Sequence, residues 1–417
     1  MRHIWIFLPV AWCYPALAQS LPALVGEALQ NNREILAAQK RYEAARQRPS
    51  IASSLPDPTV SLGYTSNGTP LPGGGLGTNP TSNAGISISQ EVPFPGKRKL
   101  RGEIAEKEAE AEFQQYLSVR LSVVARLKMA YHELHHADVS IDSIKRSQEL
   151  LRTFMRVTEA RYSVGRAAQQ DVLRADTQYA ILETRAVRLE EEKAARQAEI
   201  LGLLNRPPGG AIEAPTAEEA PPLMATLEDL YAHARTEAPI LRREQKMVER
   251  GELSANLARK EYDPDYTISG GYFNQGGMPP MFQARVDFKL PAYFWRKQRA
   301  GVNEQVFALS EARHNYEASA QLLNARIKEF YVTAQSARKL MDLYLKSVIP
   351  EANLALESSM AGYETGALDA LSVLTNFMTV VDYELNYHEE LMRYVAALDQ
   401  LEEMTGMELD TTGEVSQ

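Results

Sequence analysis

His132-Glu133-Leu134-His135-His136 fits H-E-x-x-H, a pattern in which two histidines one helical turn apart bind zinc and the glutamate acts as base. Such a centre needs a third ligand folded back onto the motif. Glu159 stands at the customary downstream distance, but the intervening run lacks proline and glycine and reads as one helix. Its rise would put Glu159 about 35 Å from the histidines. At an offset of 200 the second half of the chain carries Val332-Thr333-Ala334-Gln335-Ser336, so the fold does not require the histidines. A secreted zinc hydrolase is therefore set aside, and neither a metal centre nor a cofactor is expected. Incidental low-affinity metal contact by His132 and His136 on a solvent face is the most the motif implies. Gly73-Gly74-Gly75-Leu76-Gly77 resembles a phosphate loop only in composition, because it leads to a strand and lacks the helix N-terminus that cradles phosphate. The basic group Lys97, Arg98, Lys99 and Arg101 reads as solvated charge at a strand-to-helix junction.

The 417 residues carry a formal net charge of -9, which argues against nucleic-acid binding. They are 44% hydrophobic and 24% charged, the composition of a folded chain. No apolar run after the N-terminus is long enough for a membrane-spanning helix. Met1-Arg2-His3, the apolar run Ile4 to Trp12 and Ala16-Leu17-Ala18 read as a secretory signal cleaved after Ala18. The single cysteine, Cys13, lies inside that signal, and bulky Trp12 before it argues against a lipidation site. The mature chain then has no thiol chemistry.

One unit is written twice. Ala125 to Tyr131 recurs as Ala325 to Tyr331 at an offset of 200; Ala160 to Gly165 recurs as Ala361 to Gly366, and Val172-Leu173 as Val373-Leu374, at 201. Asp57-Pro58 answers Asp263-Pro264, and Lys97-Arg98 after Pro93 answers Arg296-Lys297 after Pro291. The organisation expected is a signal (1–18), a first repeat (19–205), a Pro-rich acidic linker (206–226), a second repeat (227–407) and a polar tail (408–417). Each repeat reads as helix, two strands, a very long helix, a tight break and a second long helix.

The long helices carry apolar positions at alternating spacings of four and three. In the second repeat these are Tyr316, Ala320, Leu323, Ile327, Phe330, Ala334, Ala337, Met341, Tyr344 and Val348. The first repeat matches from Tyr116 to Ile144, with Arg120 the exception. This is a coiled-coil seam on rods of roughly 100 Å. Gly165 and Gly366 permit tight reversals, and a return seam runs Leu371, Leu374, Met378, Val381, Leu385, His388, Met392, Val395. Two helical hairpins result, with their turns at one end.

Four segments alternate with period two: Thr59 to Thr65, one around Ile86 and Ile88, one around Tyr266 to Tyr272, and Phe282 to Leu290. Each has the length of a tilted transmembrane strand, with one apolar and one polar face. Four strands cannot close a barrel, and lipid does not tolerate open edges. Several protomers would therefore pool strands, with Gln283, Arg285, Asp287 and Lys289 lining water. The fold class expected is α+β, mainly α: long coiled-coil hairpins forming a periplasmic tunnel, plus four strands given to a shared transmembrane barrel. A periplasmic coiled-coil scaffold with a soluble β-module is the competing reading.

The duplication, the Tyr-x-x-Gly reversals and the junction Gln90-Glu91-Val92-Pro93-Phe94-Pro95-Gly96-Lys97-Arg98 resemble the outer-membrane efflux protein family, the TolC-like channels, over nearly all of the mature chain. The junction resembles the heavy-metal cation branch more than the drug branch. The resemblance implies a homotrimer in the Gram-negative outer membrane, with a twelve-stranded barrel in lipid and a twelve-helix periplasmic tunnel. It further implies a passive conduit, not an enzyme, that docks on a periplasmic adaptor and an inner-membrane RND-type proton-driven pump. Metal cations, drugs or polypeptides all fit as cargo. It places Tyr162, Gly165, Asp171, Tyr363, Gly366 and Ser372 at the periplasmic tip that contacts the adaptor. Family members with acidic rings past the second tip glycine find Ser372 and Thr375 there in this chain, so the acid expected to join tip contacts is Asp171.

Overall fold

A computed structural model describes residues 20–66, 73–210, 212 and 220–409. The signal with Cys13, the middle of the linker and most of the polar tail lie outside the described residues.

The elements follow the duplicated order. The first half runs α1 (Leu21–Asn31), α2 (Arg33–Ala45), α3 (Arg48–Ser53), β1 (Thr59–Thr65), β2 (Asn83–Val92), α4 (Lys97–Ser163) and α5 (Gln169–Leu203). The second runs α6 (Leu227–Glu237), α7 (Pro239–Lys260), β3 (Asp265–Asn274), β4 (Met281–Lys289), α8 (Lys297–Leu343), a π turn (Tyr344–Val348), α9 (Ile349–Thr365) and α10 (Ala370–Thr405). Among the described residues no helix is long and apolar enough to cross a membrane. The opening helix of each half is broken where the sequence suggested a single helix. In the first half, buried Asn32 interrupts it: its Oδ1 accepts from the Glu34 and Ile35 amides, and its Nδ2 donates to the Leu203 carbonyl at 2.8 Å. In the second half Pro239 starts a new helix at N1, where its missing N–H costs nothing.

The described chain forms two compact units, each drawing on both halves of the sequence. One takes the described residues of 1–36, 119–234 and 324–417, and is helical. Much of the seam predicted from spacing lies in its core. Phe330, Tyr344 and Val348 of the second-repeat series are only half-buried, the last two because a π turn breaks the helical period there. Val123, Leu127, Ala130, Leu134, Ala137, Ile141 and Ile144 are buried on α4, as are Ala334, Ala337 and Met341 on α8. The return seam starts one residue off: Leu371 is exposed, while Ala370, Val373, Leu374 and Phe377 are buried, because the reversal sets the phase of the first turn of α10. Here the linker is pinned, since the Tyr394 hydroxyl donates to the Pro221 carbonyl and accepts from the Leu223 amide.

The other unit takes 37–118 and 235–323 and holds the sheet. All four strands are antiparallel in the order β1-β2-β3-β4, so β1 and β4 are free edges. The register puts Leu62, Ile86, Tyr272 and Phe282 in one row across the sheet, and Ile268 beside Val286. Its helices are laced by Lys107 and Lys246 of α4 and α7, each paired with both Glu110 and Glu249.

Candidate functional site

Three places carry the residues singled out by sequence: the sheet, the strand-to-helix junction and the hairpin turns. On the sheet, Gln283, Arg285, Asp287 and Lys289 share one face of β4, and Arg285 pairs with Asp287 at 2.9 Å. Their cross-strand partners Gly271, Ser269, Thr267 and Asp265 keep that face polar or small. The opposite face is aliphatic at its centre (Val60, Leu62, Ile86, Ile88, Ile268, Val286) and aromatic towards both ends, with Tyr266 beside Phe288 and Tyr272 beside Phe282. Six residues of strand separate Tyr266 from Tyr272, about 20 Å. Apolar side chains on that face are exposed: Leu62 is 82% exposed and Phe282 76%. A band of aliphatic residues flanked by aromatic girdles is the pattern of a lipid-facing barrel wall.

At the junction the structure corrects the reading of the basic cluster. Lys97 is 1% exposed. Its Nζ donates to Asp265 at 2.9 Å, to the Asp263 carbonyl at 2.9 Å and to Glu261 at 3.3 Å. Arg98 donates to the Ser53 carbonyl, and Arg101 lies 3.7 Å from Glu261. Lys99 alone of the four is a solvated charge. Three acidic or carbonyl acceptors at the α7–β3 corner draw Lys97 inward, and period counting has no access to that corner. The glycine-rich segment Gly73 to Gly77 is a chain of turns leading into β2, as its lack of a helix required.

The two reversals share one backbone design. Gly165 and Gly366 take φ of +74° and +80°. The Gly165 and Arg166 amides donate to the Tyr162 and Arg161 carbonyls; the Gly366 and Ala367 amides donate to those of Tyr363 and Gly362. This closure satisfies the last carbonyls of α4 and α9. The side chains differ. Tyr162 is 45% exposed, whereas Tyr363 is buried against Phe154 with ring centroids 5.2 Å apart. Arg161 reaches from the first turn to the second. Its guanidinium lies 4.7 Å over the Tyr363 ring, and Nη1 donates to the carbonyls of Tyr363 and Glu364. The turns are thus joined by a residue that repeat matching passed over, because its counterpart in the second half is Gly362.

Asp171 and Ser372 both serve helix starts. Asp171 accepts from the Ala168 amide at 3.3 Å. Ser372 donates from both its amide and its hydroxyl to Asp369, the N-cap of α10, and these bonds hold the Asp369 carboxyl below its usual range.

The H-E-x-x-H segment resolves as packing. His132 Nε2 lies 3.2 Å from the buried Asp399 carboxylate. Glu133 pairs with Arg196; burial pushes its carboxyl up against that attraction. Among the described residues no group of three or more His, Cys, Asp or Glu is placed to hold a metal ion. His136 instead lines a cavity of about 550 Å³ with Ser140, Ile144, Arg185, Asp382 and Asn386.

Comparison with known proteins follows this geometry. The family model described as outer membrane efflux protein matches residues 24–206. The chain is 22% identical over 415 residues to the outer membrane protein TolC of Vibrio cholerae serotype O1, covering 93% of this chain and 91% of that protein. It is 23% identical over 393 residues to the probable outer membrane lipoprotein SilC of Salmonella typhimurium, covering 84% and 78%. Among solved structures, CusC superposes with a TM-score of 0.79 at 15% identity, over 92% of this chain and 91% of that one.

Proposed function

We propose that this chain, a member of the outer membrane efflux protein family and so an outer-membrane channel of Gram-negative type rather than an enzyme, is one third of a passive exit duct for heavy-metal cations. One observation carries the assembly: a four-stranded sheet with two free edges and an apolar face most of whose side chains are exposed. Three copies joined edge to edge give twelve strands, enough to close a barrel with no edge left in lipid. Gln283, Arg285, Asp287 and Lys289 then line the barrel lumen, and the apolar face with its girdles meets outer-membrane lipid. The hairpins of three copies supply the twelve helices of a periplasmic tunnel.

The tip formed by Tyr162, Gly165, Asp171, Tyr363, Gly366 and Ser372 is the surface offered to a periplasmic adaptor, which couples the duct to an inner-membrane RND-type pump. The heavy-metal cargo rests on the Gln90 to Arg98 junction. Deleting the gene should sensitise cells to zinc, cobalt, cadmium, copper or silver salts and leave a drug and detergent panel unchanged, with restoration by the intact gene. Sensitivity confined to drugs would overturn the cargo while leaving the channel in place.

A further inference from the structure

Lys97 opens α4 and Lys297 opens α8, 200 residues apart, the offset of Ala125 and Ala325. The corners that precede the strands match at a different offset, with Asp57-Pro58 before β1 answering Asp263-Pro264 before β3 at 206. Inside the chain, the first-repeat junction is seated on the second-repeat corner. There Lys97 Nζ donates to the Asp263 carbonyl, Asp265 and Glu261. Strands pair across the same seam, Val92 opposite Tyr266 and Gln90 opposite Ile268. The second residue of each helix keeps to its own repeat. Arg98 donates to the Ser53 carbonyl at the end of α3, and Gln298 lines a cavity of about 310 Å³ with Ala258 and Glu261 at the end of α7.

The reciprocal seat is missing from the single chain. Lys297 stands exposed on the wall of that cavity, and among the described residues it makes no ion pair or side-chain hydrogen bond. The same holds of Asp57, the acid at the first-repeat corner. The two lie at opposite edges of the sheet but at the same end, since β1 starts where β4 finishes. Exposed apolar groups divide in the same way. Ile51 and Leu55 stand beside Asp57, and Tyr293 and Trp295 beside Lys297. At the offset of 206, Leu55 occupies the place of Glu261 and Thr59 that of Asp265, so of the acids at this corner only Asp57 remains.

We propose that Lys297 is seated in a second copy of the chain: its ammonium pairs with the Asp57 carboxylate of the next copy, whose Ile51 and Leu55 cover Tyr293 and Trp295. The seam between copies then repeats the seam inside the chain. Carrying the β2–β3 register over, with Pro93 matched to Pro291, sets Leu290 opposite Val60 and Phe288 opposite Leu62, apolar against apolar. Lys97 sits in a buried seat with two carboxylates, whereas Lys297 meets one carboxylate at a rim. The seam between copies is therefore the weaker and the more sensitive to salt. This contact rests on the barrel assembly proposed above and names the residues that close it.

No cysteine follows Cys13, so introduced thiols report alone. Asp57→Cys and Lys297→Cys, placed together in the full chain in outer membranes and bridged with a short bis-maleimide, should give a ladder of two and three chains on denaturing gels. Either substitution alone should not, nor should Lys297→Cys with Thr65→Cys at the far end of β1. Native trimers that yield no ladder would overturn the seat and leave the barrel assembly standing; absence of trimers would overturn both. Charge exchange tests the pairing itself. Lys297→Glu should speed the loss of trimers in mild detergent at low salt by about tenfold, as three exposed pairs fail together. Adding Asp57→Lys should bring back the wild-type rate, and a swap that restores nothing would overturn the ion pair. Thr59→Asp, which returns the acid that Asp265 supplies inside the chain, should slow the loss below wild type, and an unchanged rate would overturn the copied seat.

Discussion

Tyr162 and Tyr363 precede Gly165 and Gly366 by the same three residues, and their turns close with the same hydrogen bonds, yet one ring is exposed and the other buried. The difference begins one residue earlier. Arg161 in the first half lies over the Tyr363 ring, while its counterpart Gly362 has no side chain, and a Cβ there would come within 2.8 Å of Leu368. Duplication has copied the backbone programme and left the side chains to specialise as arm and bed. Junction lysines divide likewise. Lys97 is buried among three acceptors, and Lys297, the lysine of the matching basic pair, is exposed.

The junction gives the largest expected asymmetry. Lys97→Ala strips the compensating charge from Asp265 and Glu261 and should cost about 3–5 kcal/mol in unfolding free energy. Lys297→Ala should stay within about 0.5 kcal/mol of wild type, as an exposed substitution does. Denaturant unfolding of the purified chain measures both, and equal losses would break the comparison.

The turns come next. Arg161→Ala removes two charge-assisted bonds to backbone carbonyls and a cation–π contact, for a loss of about 2 kcal/mol. Arg166→Ala, at the exposed rim of the first turn, should change stability by less than about 0.5 kcal/mol. A control should show no asymmetry: Gly165→Ala and Gly366→Ala each force a Cβ into the left-handed region, at about 1 kcal/mol apiece. A twofold difference between these two would mean that the turns differ in backbone as well as in side chains.

Period and repeat made most of the frame legible. Alternation located all four strands, and spacings of four and three picked out residues that are buried in α4 and α8, because both patterns depend only on which face meets a neighbour. The cross-turn reach of Arg161 was not legible, since an arginine at a helix end is ordinarily solvated, and repeat matching discounts positions where the halves disagree. Lys97 was hidden for a related reason: its acceptors lie more than 160 residues away, at a corner set by how α7 meets β3. The zinc-like motif failed in the opposite direction, where local spacing suggested chemistry and the partner of His132 proved to be Asp399 on a distant helix.

A pH dependence offers the finest test, because it depends on groups the two hairpins share. His388 on α10 titrates at about 4, below its ordinary 6.5, pushed down by burial and then by neighbouring His136, His135 and Arg146 of α4. Burial lowers His136 as well, against the pull of Glu192 and Glu389. An imidazole held below its unfolded value binds its proton more readily in the unfolded chain, so folding stability falls as pH drops from 6.5 towards about 4 and is unaffected above that window. The thermal midpoint of the wild-type chain should therefore decline over that range. His388→Gln, which cannot charge, should flatten the decline and leave the midpoint at pH 8 nearly unchanged. The second half has no histidine at the places matching His132, His135 and His136, so the repulsion comes from α4 alone. His136→Gln should then weaken the decline in part, whereas removing the exposed His314 on α8 should leave it intact. A decline that survives His388→Gln at full size would move the titrating group elsewhere and break the link between the two hairpins at this level.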